Sequence, residues 1–156
     1  MPRQVEALVI HHSAGLWGDR AWIDGLHKQR GWRGIGYHKL ILNGYPTYRD
    51  WTKEHRIADQ DGLIAQGRPD TETGAHCPGW NTRSLGICLV GNFMAYPPTP
   101  AQWDSLVDAC ARLCRRYSIT ADHIFGHGQL RATDCPGRLL DMDKLRCEVI
   151  IRMRQG

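Results

Sequence analysis

Residues 85–91, LGICLVG, form a nearly unbroken apolar run. A strand with one wet face alternates polar and apolar side chains, whereas a strand lacking that alternation needs cover on both faces. A chain containing such a segment must supply one packing layer above it and one below. That requirement points to a sheet held between helices.

The rest of the chain supplies the layers. Residues 5–12 carry Val5, Leu8, Val9 and Ile10 and read as a second buried strand ending at His11 and His12. GYHKLIL at 36–42 is a third strand, closed by the turn pair Asn43-Gly44, and GLIAQGR at 62–68 returns to the sheet. A short strand is expected within 119–125. Residues 20–30 place Trp22, Ile23 and Leu26 near helical spacing, with Asp19 as cap and Gly31 as stop. At Thr99 a helix begins: Thr99 caps, Pro100 opens the first turn and Gln102 completes a capping box. Leu106, Ala109, Cys110, Leu113 and Tyr117 then line one face. A last helix is expected over 139–151. The segment 45–61 is polar, and its periodicity does not choose between a loop and a short helix. Strands alternating with helices, without repeat or linker, predict one α/β domain over 1–156: a central mixed β-sheet flanked by helices.

The chain has 156 residues, 42% of them hydrophobic, and a formal charge of +4, which suits a partner that is an anionic polymer. Bacterial wall material and nucleic acid both qualify. No stripe of interleaved aromatic and basic residues supports nucleic acid. No run approaches the roughly 18 apolar residues of a membrane span. VEALVI at 5–10 is too short for a secretory leader and carries a glutamate. The expectation is a monomer with no nucleic-acid or membrane partner, cytoplasmic until something else releases it. The six cysteines then read as thiols, with Cys88, Cys110 and Cys114 as small buried hydrophobes.

Chemistry enters at both ends of the chain. His127 and Cys135 stand eight apart in GHGQLRATDCPG, and His11 and His12 end the first strand. Two imidazoles and a thiolate are the donor set of a three-ligand zinc site with its fourth position open, and such a site activates water and polarises a carbonyl. Successive strand residues face opposite ways, so one of His11 and His12 at most reaches a given site. His123 is an alternative to His127. The residues alone leave both choices open.

Four segments, in order, carry a family likeness: VIHHSAG at 9–15, GWRGIGYHKLI at 31–41, GAHCPGWNTRSLGICLVGNF at 74–93 and GHGQLRATDCPG at 126–137. Together they resemble the zinc-dependent N-acetylmuramoyl-L-alanine amidases related to phage T7 lysozyme and the peptidoglycan recognition proteins. The resemblance implies Zn2+ on His11, His127 and Cys135, with Tyr37 as a helper hydroxyl. It places Thr133 where the phage enzymes carry a lysine. It implies that the segment holding His76, Trp80, Asn81 and Arg83 faces a peptidoglycan or muropeptide substrate. The implied reaction is hydrolysis of the amide joining the lactyl group of N-acetylmuramic acid to L-alanine, by a phage or prophage endolysin. Two alternatives share the resemblance: a cytoplasmic amidase recycling soluble anhydromuropeptides, and a non-catalytic wall-binding module. Cys135 argues against the last, because relatives that only bind typically lack that ligand. His12 and His38 are assigned structural roles. The stretch 45–59 is enlarged relative to the simplest members and is expected to contribute substrate contacts.

Overall fold

The computed structural model describes residues 3–156. Five strands make one sheet: β1 (Ala7–His12), β2 (Lys39–Asn43), β3 (Asp61–Gln66), β4 (Ser84–Leu89) and β5 (Ile124–Gly126), in the order β3-β2-β4-β1-β5. β4 runs parallel to β1 and β2, and β1 runs parallel to β5. Only β3, at one edge, is antiparallel. The apolar run therefore takes the central position its composition demands, and every β4 residue is buried.

Side-chain alternation sorts the core into two layers. Leu8, Ile10, Leu85, Ile87 and Leu89 pack on one face beneath α3 (Pro100–Tyr117) and α5 (Met142–Gln155). Leu40, Leu42, Cys88 and Val90 pack on the other with Ile23 of α1 (Arg20–Gln29) and with Ile35. Both expected helix starts are present. Asp19 Oδ1 accepts from Trp22 N, and Thr99 with Gln102 forms the reciprocal capping box. Gln102 also reaches inward, where its Nε2 donates to the carbonyls of Ile41 and Val90. That contact ties α3 to the ends of β2 and β4.

Boundaries differ from expectation where a local partner intervenes. β2 starts at Lys39 rather than Gly36, because the Gly36 N–H is taken by His27 Nδ1 at 2.8 Å. The last helix starts at Met142 rather than near 139. Asp141 caps it, and the Leu139 N–H is drawn to the carbonyl of Phe93. The strand expected in 119–125 shortens to β5 behind a 3-10 turn, Ala121–His123. The polar segment 45–61 contains α2 (Tyr48–Thr52), capped by Thr47, and a 3-10 turn at Ala58–Gln60. All six cysteines are free thiols. Among the described residues, no helix is long and apolar enough to cross a membrane.

Candidate metal centre

Parallel sheets gather their sites at the carboxyl ends of the strands, where the loops diverge. β1 delivers His11 there, in register with Cys88 of β4, and neighbouring β5 leads directly into α4 (His127–Leu130). The chain after α4 then folds back. Gly128 N donates to the carbonyl of Cys135 at 2.7 Å, and Thr133 Oγ1 accepts from Cys135 N at 3.3 Å. A Cβ on Gly128 would sit 2.7 Å from the Thr133 carbonyl oxygen, so this close return requires glycine. The outcome is convergence: one donor atom each from His11, His127 and Cys135, all within 4.8 Å of one another. His12, one residue on, points to the opposite face. There its Nδ1 accepts from Phe93 N at 3.0 Å, while its own N–H donates to Cys135 Sγ at 3.4 Å.

The donor chemistry fits a divalent zinc. His11 Nδ1 lies 3.7 Å from Cys135 Sγ. Ligands on bonds of ~2.0–2.3 Å in a tetrahedron stand about 3.3–3.8 Å apart. Burial, with His76 and His127 adding to it, holds His11 well below its ordinary value, so its imidazole is neutral and offers a lone pair. Burial lowers His127 in the same way, with Arg131 adding to it. Burial also pushes the Cys135 thiol up to about 11, against the opposing hydrogen bond from His12 N. A thiolate in this place therefore needs a cation beside it, which is what a metal provides.

Behind His11 lies a relay that the sequence did not suggest. His11 Nε2 is 2.9 Å from His76 Nδ1, His76 Nε2 is 3.3 Å from Ser84 Oγ, and Ser84 Oγ donates to the Trp80 carbonyl at 2.7 Å. With His11 Nδ1 turned to the ligand cluster, its proton sits on Nε2. His76 accepts that proton's hydrogen bond and passes its own Nε2–H to Ser84. Such outer partners fix tautomer and ring orientation in zinc sites. Room for the His76 ring comes from Gly86 of β4, where a Cβ would lie 2.6 Å from the imidazole.

The ligand cluster opens into a cavity of about 850 Å³ whose walls include Tyr37, Thr133, Asn81, Asn92, Arg30 and Trp32. The Tyr37 ring is 5.0 Å from that of His11. Burial, reinforced by Cys88 and Cys135, holds Tyr37 well above its ordinary value, so the O–H stays protonated. Thr133 is exposed in the cavity wall and braces the ligand loop. His76 is at this wall but buried, with both ring nitrogens engaged. Asn81 Oδ1 accepts from the N–H groups of His76 and Cys77, both at 2.8 Å, and so clamps the loop that carries His76. Trp80 and Arg83 lie outside the cavity. Trp80 packs on Phe125, and Arg83 stacks over Trp80 at 3.7 Å and pairs with Glu6. Of the nine residues singled out in the sequence, seven meet at this cavity and two do not. Arg30, Trp32 and Asn92 were missed, since nothing in their spacing marks a cavity wall.

Comparison with known proteins agrees with this geometry. The sequence family described as N-acetylmuramoyl-L-alanine amidase matches residues 1–138. The endolysin of Enterobacteria phage T3 is 29% identical over 84% of this chain and 80% of its own length. Peptidoglycan-recognition protein SC2 of Drosophila melanogaster is 30% identical over 83% of this chain, but this chain spans only 66% of that protein. Among solved structures, the N-acetylmuramoyl-L-alanine amidase LysC from Clostridium intestinale superposes with a TM-score of 0.81 at 32% identity, covering 96% of this chain and 87% of its own. The Ph2119 endolysin from the Thermus scotoductus bacteriophage gives a TM-score of 0.72 at 25% identity, covering 94% and 85%. With a family model matching residues 1–138 of its 156 and a solved amidase superposing over 96% of its length, the chain belongs to the N-acetylmuramoyl-L-alanine amidase family.

Proposed function

We propose that this protein is a zinc-dependent amidase that cleaves the amide between the lactyl group of N-acetylmuramic acid and L-alanine in peptidoglycan. It acts as a monomeric endolysin, made in the cytoplasm and reaching the wall on release. One observation carries the reading: His11, His127 and Cys135 converge at the floor of an open cavity large enough for a sugar-peptide junction. Relatives described as endolysins, from phage T3 and Klebsiella phage KP32, support the biological setting.

The chemistry that zinc supplies in this donor set is acidification of a water and polarisation of a carbonyl. The chain's own groups do the rest. His76 holds the His11 proton on Nε2, which leaves Nδ1 free as a ligand. Tyr37, kept protonated, donates toward developing negative charge on the scissile oxygen. Thr133 presents a neutral hydroxyl in the same wall, a weaker electrostatic partner than a cation in that place.

The test is digestion of purified peptidoglycan with and without a chelator, followed by mass analysis of the new termini. The proposal expects L-alanine amines that disappear on chelation and return with zinc. New reducing sugar ends would identify a glycosidase and end this reading. Cleavage of soluble 1,6-anhydromuropeptides with none of intact sacculi would transfer the role to recycling.

A further inference from the structure

Beside the metal cavity, and sharing Asn92 with it, lies a second cavity of about 590 Å³. The polar segment 45–61 builds its outer wall. Tyr45, Trp51 and Arg56 come from that stretch, and Tyr96 comes from the connection after β4. The partition between the two cavities is fixed, because Ser13 Oγ accepts from Gly91 N at 3.1 Å. From Trp51 a line of rings continues over the surface. Tyr48 is 6.0 Å from Trp51, Trp17 is 5.9 Å from Tyr48, and Trp22 is 4.5 Å from Trp17. Tyr48 is 59% exposed, Trp22 44% and Tyr96 63%. Contiguous exposed aromatic surface of this kind marks an interaction site.

We propose that this cavity and its aromatic line bind the glycan strand of the substrate, as a subsite for the N-acetylhexosamine units next to the scissile muramoyl amide. The inference rests on the amidase reading for its direction, since Asn92 joins the cavity to the metal centre. The chemistry selects sugar. A pyranose has an apolar C–H face and a polar rim, which suit rigid aromatic rings flanked by hydrogen-bonding groups. Asn92 Oδ1 accepts from Met94 N, and among the described residues nothing accepts from its NH2 group. Charge points the same way. The lining carries Glu54 and Arg56. The Arg56 guanidinium is already engaged, 4.4 Å from the Tyr45 ring centroid, with its Nε donating to the Asn43 carbonyl. A neutral glycan fits that balance, whereas a stem peptide brings carboxylates that call for uncommitted cations.

The test titrates the β-1,4-linked tetramer of N-acetylglucosamine into the intact protein and follows tryptophan fluorescence. A saturable change is expected, weakened at least tenfold by Trp51→Ala. Tyr96→Ala is the second variant, at an exposed position where the fold does not depend on the ring. On intact peptidoglycan both variants should raise KM roughly tenfold more than on a single muramoyl-peptide without neighbouring sugars. Failure of the tetramer to bind, or equal losses on long and short substrates, would overturn the subsite. Tetramer binding without amide cleavage of any substrate would sink the amidase reading and leave the subsite standing. A dimer in sedimentation that Trp51→Ala dissociates, with no response to the tetramer, would make the occupant a second copy and refute the glycan assignment.

Discussion

His11 Nε2 and His76 Nδ1 stand 2.9 Å apart inside the protein, 65 residues apart in sequence, with Ser84 closing the relay behind them. His76 presents an acceptor to His11, which leaves His11 Nδ1 unprotonated toward the ligand cluster. Replacing His76 by alanine removes that acceptor without touching a ligand. The expected result is a zinc affinity lower by about 10–100-fold, measured by competition with a chromophoric chelator. Ser84→Ala should give a smaller loss of the same sign. Wild-type zinc affinity in His76→Ala would remove the relay from any functional account.

Gly86 tests the same relay from the sheet side. A methyl group there would lie 2.6 Å from the His76 ring, which cannot stay where it is. Gly86→Ala should therefore weaken zinc binding while every ligand and His76 itself remain. Overpacking should also lower stability by about 1–3 kcal/mol in urea unfolding. A variant as stable and as zinc-avid as wild type would show that the ring moves freely.

The sequence made some parts of this centre legible and left others hidden, for physical reasons. The apolar run at 85–91 specified the middle of the sheet because burial on both faces leaves a local signature. Thr99 and Gln102 announced α3 because a capping box is written within four residues. The ligand loop was readable because His127 and Cys135 are close in sequence. The relay was not, because it depends on a void above Gly86 and on contacts spanning 65 residues. Trp80 and Arg83 share a segment with Asn81 but sit on each other and on Phe125 and Glu6, outside the cavity. A motif's order along the chain does not say which way each side chain turns.

Gln102 holds two levels of structure together. It completes the cap of α3, and its buried amide donates to Ile41 and Val90. Gln102→Ala leaves those carbonyls short of a donor and loses half the capping box. We expect a loss of roughly 1–3 kcal/mol in urea unfolding. A change under about 0.5 kcal/mol would mean that solvent replaces the amide.

Acid should destabilise the fold through His38 and His27. Burial brings each down to about 4. For His38 the Glu72 carbonyl and Asp70 pull upward, and Arg3 and Lys39 push down. His38 Nδ1 accepts from Gly86 N at 3.0 Å, a bond that protonation would destroy. The unfolded chain takes up these protons near its ordinary value of about 6.5, before the folded chain does. Stability is thus complete above about pH 6.5 and falls as pH drops toward 4, on the order of 3 kcal/mol for the fully buried His38. Urea midpoints measured from pH 7.5 to 4 should decline over that window. His38→Asn, which keeps an acceptor for Gly86 but does not titrate, should make the decline shallower. Parallel pH profiles for variant and wild type would contradict the assignment.

Cys135 Sγ meets His11 Nδ1 across 124 residues of intervening chain. An ion held by both would act as a clasp on a loop that includes most of the molecule, and closing so long a loop is where a cross-link restricts an unfolded chain most. Emptying the clasp and loosening the fold then become one thermodynamic event, so a chelator that silences the protein should also leave it easier to digest with a protease.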